Sequence, residues 1–449
     1  MGGVNSGCGM SKRVVAAAAV AISFVAGAGA ARAEDDAPSY AGDLLTRDSL
    51  TGDWGGARTK LYERGVKFEA TYTGDASTLV SGGLRRDEGF SGLLQLGLTL
   101  DLEKLVGWTG GEVYAGAYFI RGHGLSTYEV GNLLTISNIE ADRANRLGEV
   151  YFKQTLFDDR FSIRVGQLLA DSEFVVSDTA GLFVNSTFGW PGLMGTNLPS
   201  GGPAYPVPTP GVHVAYEFND AWSVQAAIYN GDPAGHNVNP HNLDFPLHEG
   251  VFGIGEVAYK TDGVFGKPGV IKAGGWFNTA NKFDDVRLSG VTHGGDYAVY
   301  GVIDQTVAEW GGGQDLKDPT PSTSSLSVFA RAVFAPQQNR NLIDYYFDAG
   351  FNVKGLIAGR ADDVFGIAGA YAHISRDAQR ADRDDGGVPV RSSEMVFEAS
   401  YKAQLAPWLA LQPFAQYVVR PGGGDPRPAD PSRRIKNATV LGFRTQVEF

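Results

Sequence analysis

The chain has 449 residues, 50 acidic against 38 basic, and a formal net charge of −12 at pH 7. That acidity excludes nucleic acid as a partner, because such a partner needs a basic face, and a single cysteine, Cys8, excludes a disulfide framework. The composition is 43% hydrophobic with 61 Gly, 25 Phe and 18 Tyr, yet nothing after residue 33 approaches the ~18 uninterrupted apolar residues of a membrane helix.

Residues 1–33 read as a signal peptide. Lys12 and Arg13 form the basic start, Val14 to Ala31 the apolar stretch, and Ala31-Arg32-Ala33 a small-residue cleavage site. Residues 34–65 are expected to form a short periplasmic segment with one helix. There Asp53 caps a turn through Arg58, Leu61 and Tyr62 that Gly65 ends. Trp54, flanked by Gly52, Gly55 and Gly56, is the expected anchor of this segment.

From Val66 to Phe449 the period changes to two. Leu94, Leu96, Leu98 and Leu100 oppose Gln95, Gly97, Thr99 and Asp101; Tyr345, Phe347, Ala349 and Phe351 oppose Tyr346, Asp348, Gly350 and Asn352. Met395, Phe397, Ala399 and Tyr401 likewise oppose Glu394, Val396, Glu398 and Ser400. Side chains of a strand alternate between faces, so these are two-faced strands. Such segments begin near residues 66, 91, 112, 147, 161, 211, 222, 251, 269, 297, 326, 345, 365, 394, 409 and 439, sixteen in all. Each has about the ~9–11 residues that a tilted strand needs to cross a bilayer. Short turns at 157–160, 219–221 and 405–407 alternate with long connections at 121–146, 168–210, 230–250, 278–296, 375–393 and 420–438. Segment 305–325 breaks the alternation, being long where a short turn is due, and 335–344 is short where a long loop is due. The last strand runs from Thr439 to an aromatic end at Phe449. An exported chain with these features is expected to be all-β: a transmembrane antiparallel β-barrel of about 16 strands in the bacterial outer membrane.

No catalytic constellation is present, neither a Gly-x-Ser-x-Gly elbow nor a His-Glu-x-x-His helix, and no cofactor motif. His236, His241 and His248 share one Pro- and Asn-rich loop, where solubility accounts for them as readily as a metal, and no metal site is expected. The inward phase carries charges of both signs: Glu149 and Lys153 on one strand, Arg164 on the next, then Glu256, Lys260, Arg331, Asp348, Lys354 and Glu398. With Tyr114, Tyr118, Tyr151 and Tyr229 this mixture suits a neutral polyhydroxyl solute, since carboxylates and guanidinium groups bond hydroxyls and rings stack on C–H faces. An anion pore would show a run of Arg and Lys instead.

The segment Ser49-Leu50-Thr51-Gly52-Asp53-Trp54-Gly55-Gly56-Ala57-Arg58-Thr59-Lys60-Leu61, closed by Gly65, resembles the amino-terminal signature of the OprB-type carbohydrate-selective porins. The stretches Phe183 to Pro191 and Asp344 to Gly350 are similar to the same family. The resemblance implies a sixteen-stranded outer-membrane channel for sugar diffusion, narrowed by inward-folded loops. Its implied partners are small carbohydrates such as glucose, outer-membrane lipid and lipopolysaccharide, and the barrel-assembly machinery through Phe449, with a homo-oligomer left open.

The longest connection, 168–210, carries Asp171, Glu173 and Asp178, then Phe183, Phe188 and Trp190. Loops of that length are functional or disordered, and aromatic side chains need a surface to bury against. It is expected to fold into the lumen and set Phe188 or Trp190 near Arg164 and Glu149; the alternative is that these rings only pin the loop to the wall. The candidate pore-lining residues are therefore Arg164, Glu149, Lys153, Trp190, Phe188, Arg331 and Asp348. Failing these, the filter falls to loop 74–90 with Arg85 and Arg86, or to loop 121–146.

Overall fold

A computed structural model describes residues 38–235, 239–261, 265–314, 321–386 and 388–449. The expected signal peptide and His236 lie outside the described residues. Sixteen antiparallel strands form one closed barrel in which each pairs with its neighbours in sequence and the last returns to the first. The first eight are β1 (Val66–Gly83), β2 (Glu88–Asp101), β3 (Gly111–His123), β4 (Ala144–Leu156), β5 (Phe161–Leu168), β6 (Thr209–Glu217), β7 (Trp222–Asn230) and β8 (Val251–Thr261). Then follow β9 (Gly269–Asn278), β10 (Asp296–Gln314), β11 (Pro321–Phe334), β12 (Ile343–Lys354), β13 (Val364–Ile374), β14 (Ser393–Ala406), β15 (Leu409–Val419) and β16 (Lys436–Glu448). Each begins within a few residues of its expected start.

The irregular stretch 305–325 is resolved by pairing. β10 and β11 run on well past their neighbours, with Trp310 opposite Ser324 and Gln314 opposite Pro321, so what looked like a long connection is mostly strand. The Gly- and Ser-rich composition hides it, because small residues give no apolar alternation to read. The supposed loop 74–90 is likewise the β1–β2 hairpin, whose connection is only 84–87.

The two phases are as the alternation requires. Leu96, Phe347, Phe397, Leu441 and Phe443 point outward and are exposed, whereas Thr73, Asp75, Asp348, Glu398, Gln416 and Arg444 point inward and are buried. Trp108 and Trp222 stand exposed at the short-turn end, where an aromatic girdle belongs.

The amino-terminal segment packs under that end. A helix α1 (Ala57–Glu63) precedes β1, and Asp53 Oδ1 accepts from the Thr59 amide at 2.8 Å and its hydroxyl at 2.7 Å. Gly65, at φ +90°, turns the chain into β1; a Cβ there would stand 2.8 Å from the Asp101 carbonyl. The buried anchor is Arg58 rather than Trp54. Arg58 is 5% exposed and Trp54 47%, and the Arg58 guanidinium lies 4.2 Å from the Tyr40 ring and 5.0 Å from that of Trp54. Arg58 also donates to Ser49 Oγ and the Phe68 carbonyl. A planar cation with five donors can satisfy both contacts at once, which an indole cannot.

Inside the barrel the lumen is not polar throughout. Loops 124–143 and 169–208 turn inward at the long-loop end and build an apolar core there, with Leu134, Ile136, Ile139, Phe174, Phe183, Phe188, Trp190, Leu193 and Met194 all buried. The polar inward phase of the strands faces this plug and holds it.

Candidate functional site

The wall grips loop 169–208 mainly by its backbone. Arg331 on β11 donates to the carbonyls of Val175, Thr187, Phe188 and Gly189 while its Nε and Nη2 engage Asp348 on β12. Tyr346 Oη completes this knot, donating to Asp348 at 2.7 Å and accepting from Thr187 Oγ1 at 2.8 Å. Glu398 on β14 accepts from the amides of Val184 and Asn185. Asp304 on β10 accepts from Ser177 Oγ and from the amide and hydroxyl of Thr179. Glu256 on β8 accepts from the Val175 amide, and Lys272 on β9 donates to the Val176 carbonyl. An irregular loop inside a barrel has no ladder to satisfy its amides and carbonyls, so charged wall residues replace it.

This placement reassigns four of the seven candidates. Arg331 and Asp348 form an ion pair whose side chains are 0% exposed, and Phe188 and Trp190 are sealed in the plug. Phe188 packs on Phe183 and Phe329, and the Trp190 indole donates to the Gly201 carbonyl at 3.0 Å. None of the four faces the lumen; they set the position of the loop. The aromaticity that suits a ring to a pore wall also makes it the natural core of a loop with nothing else to bury, the alternative left open by the sequence.

The other three share one wall. Glu112 on β3, Lys153 on β4 and Arg164 on β5 lie side by side in register, as do Tyr114 and Tyr151 above them. Tyr114 and Tyr151 stack at 5.2 Å between centroids, and the Arg164 guanidinium lies 5.6 Å from the Tyr151 ring. Gly166 sits opposite Tyr151, where a Cβ would come within 2.1 Å of the Val150 carbonyl. Arg164 Nη2 pairs at 2.7 Å with Glu173 of loop 169–208, and Glu149 Oε1 accepts from the Leu169 amide at 2.9 Å. Among the described residues the Lys153 ammonium makes no hydrogen bond or ion pair. The result is a half-buried strip of two stacked phenols, two cations and three carboxylates, with the loop supplying Glu173.

The wall and the loop meet here because β5 is only eight residues long. The chain leaves it at Leu168 and enters the lumen at once. Asp171, three residues on, is 2% exposed. Its Oδ2 accepts from the Tyr205 amide at 3.0 Å while Oδ1 has no partner. Burial, uncompensated by any nearby cation, pushes its carboxyl up to about 8.

Sequence reasoning missed the amides of β15. Gln412 donates to the Leu182 carbonyl, and Gln416 to Ile136 of loop 124–143 and to Glu398. Their four-residue spacing on the inward phase was the available signal. In the histidine loop His241 Nδ1 lies 2.8 Å from the Asn145 carbonyl, and among the described residues, which leave out His236, no three His, Cys, Asp or Glu side chains converge. Arg85 pairs with Glu129 of loop 124–143 at 2.8 Å.

A closed sixteen-stranded barrel with an outward apolar face, short turns at one end and a loop folded into a charged lumen defines a porin of the bacterial outer membrane. The family model for carbohydrate-selective porins, the OprB family, matches residues 85–449, and the chain belongs to that family. It is similar to Porin B of Pseudomonas aeruginosa, with 26% identity over 438 residues that cover 89% of this chain and 91% of that protein. It is also similar to the putative porin QuiX of Acinetobacter baylyi, with 25% identity over 450 residues covering 92% and 96%. The high-pH structure of Pseudomonas putida OprB shares the fold at a TM-score of 0.78 and 24% identity, over 91% of this chain and all of that one. The chain is thus an outer-membrane channel for the passive diffusion of carbohydrates.

Proposed function

We propose that the channel passes monosaccharides such as glucose, and that they cross between loop 169–208 and the wall of β3–β5. The observation that carries this reading is the strip of Tyr114, Tyr151, Arg164 and Glu173. A ring sugar has an apolar C–H face for the phenols and hydroxyls for the paired guanidinium and carboxylate. Lys153 and Glu149 flank the strip and extend its hydrogen bonding in both directions. The loop fixes the width of the passage, and Arg164–Glu173 fixes the loop to the strip. Reconstitution in planar bilayers tests the reading: glucose reduces the single-channel conductance, ion preference is weak, and Arg164→Met or Tyr151→Leu weakens the block. Strong anion selectivity would make it a porin for organic acids or other anions, and no conductance would make it a surface binding protein or hydrolase.

Residues 34–65 serve, on this reading, as a periplasmic segment, of which residues 38–65 dock under the mouth, preceded by a cleaved signal peptide at 1–33. Phe449 is the signal for barrel assembly. Its amide donates to the Ala70 carbonyl of β1 at 2.8 Å. Whether copies associate in the membrane is tested by cross-linking in native envelopes.

A further inference from the structure

We propose a second subsite for a neutral ring sugar, on the periplasmic side of loop 169–208 and on the wall formed by β14–β16; this rests on the sugar-channel reading above. A cavity of about 410 Å³ lies there, within the ~300–1,000 Å³ typical of small-molecule sites. Asp178 and Gly181 of the loop form its roof, and Trp408, in the β14–β15 turn, its floor. None of Tyr114, Tyr151, Lys153, Arg164 and Glu173 lines it, so it is separate from the strip on β3–β5.

Its chemistry is acceptor-rich. Three amides on the wall each donate to the backbone: Gln412 to Leu182 O at 2.7 Å, Gln404 to Ala406 O at 2.8 Å and Asn352 to Thr179 O at 3.2 Å. Their oxygens remain uncommitted among the described residues. The Gln446 side chain makes no hydrogen bond among them, and neither does the exposed carboxylate of Asp178. Lys402 is the one lining cation without a partner among the described residues, since Arg444 is bound to Asp75 at 2.7 Å. The Trp408 indole is fixed by its bond to the Leu44 carbonyl at 2.6 Å.

Hydroxyl groups both donate and accept, so a polyol satisfies several acceptors and one ammonium together. A fixed indole offers a face for the C–H side of the ring. A sugar acid meets the Asp178 and Glu448 carboxylates and is excluded, and a bare anion finds only one free cation. A solute leaving the strip therefore enters a second shallow well before release. Two weak wells in series speed passage relative to one deep one, since each must be left as well as entered.

The test is glucose-induced current noise in single channels of the full-length protein in planar bilayers. Two residence times are expected in the wild type. In Lys402→Met/Gln446→Leu one residence time disappears, and the half-blocking concentration for glucose added on the periplasmic side rises about tenfold, the loss of two ordinary hydrogen bonds. Asp178→Asn, on an exposed loop position, shifts the same component in the same direction and carries the test where the double variant fails to insert. Tyr151→Leu removes the other component only. A single residence time in the wild type, both components intact in the variants, or gluconate binding more tightly than glucose overturns the subsite while leaving the sugar channel standing. Absence of any glucose block in the wild type overturns the sugar-channel reading itself and the subsite with it.

Discussion

Arg444 on β16 and Asp75 on β1 meet across the seam where the barrel closes: Nε donates to Oδ1 and Nη2 to Oδ2, each at 2.7 Å. Both side chains are buried, and the same carboxylate accepts from Ser137 Oγ at 2.6 Å while Arg444 also binds Asn138 Oδ1. One ion pair thus closes the barrel and ties loop 124–143 to the wall. Arg444→Met leaves Asp75 buried and unpaired, and is expected to cost about 3–5 kcal/mol. The neutral pair Asp75→Asn with Arg444→Gln should cost clearly less. Urea titration of the protein in bilayers measures both.

The Arg331 knot makes a different prediction. Arg331→Lys keeps the charge beside Asp348 but loses the fork that spans four carbonyls, each charge-assisted bond being worth about 1.5–3 kcal/mol. The barrel should still form, while loop 169–208 loosens. Single-channel conductance then rises and glucose block weakens in the same variant. A conductance equal to wild type would show that the loop does not set the width.

Asp171 gives the loop a pH dependence of defined sign. Its carboxyl titrates near 3.8 in an unfolded chain and is pushed up to about 8 in the folded one. The folded state therefore holds its proton more tightly, and the packing of the loop loses stability as pH rises from about 4 to about 8. Protection of the amides of residues 169–175 against hydrogen exchange, taken relative to the base-catalysed intrinsic rate at each pH, should be greatest near pH 4–5 and fall toward pH 9. Asp171→Asn, which removes the charge and keeps the shape, should flatten that profile.

The outward face obeys the cost of charge in lipid. Leu96→Arg, or Leu98→Arg, on β2 should destabilise by ~2–4 kcal/mol near the bilayer midplane. Gln95→Arg and Thr99→Arg, one residue away and facing inward, should cost much less and alter conductance. Equal costs in a urea titration would show the phase to be wrong.

Arg58 tests the docking of the amino-terminal segment. Arg58→Ala removes two hydrogen bonds and two ring contacts of about 0.5–2 kcal/mol each, so residues 38–64 should become as protease-sensitive as in denatured protein. Trp54→Ala, at a half-exposed ring, should have the smaller effect, and channels of both variants should still insert.

The strand count, the two faces and the closing of the barrel were legible because a strand alternates its side chains strictly and lipid punishes errors of phase. Leu96, Phe347 and Phe443 could be assigned outward from neighbouring residues alone. The loop's entry into the lumen was legible too, from its length and its aromatic content. What its aromatic and charged residues do there was not. Phe188 and Trp190 satisfy a pore-lining and a core-forming role equally well in the sequence.

What the sequence determined by itself is everything governed by local period: a barrel of sixteen two-faced strands. The tertiary structure decided which inward charges see solute. Arg331 and Arg164 are the same residue type on the same phase, but Arg331 meets four loop carbonyls and Asp348, whereas Arg164 meets Tyr151 and Glu173 at the edge of the loop. That difference depends on where forty residues of irregular chain come to rest inside the barrel. Their path is fixed by long-range bonds from strands around most of the barrel, β4, β5, β7 to β12, β14 and β15, and no local pattern encodes it.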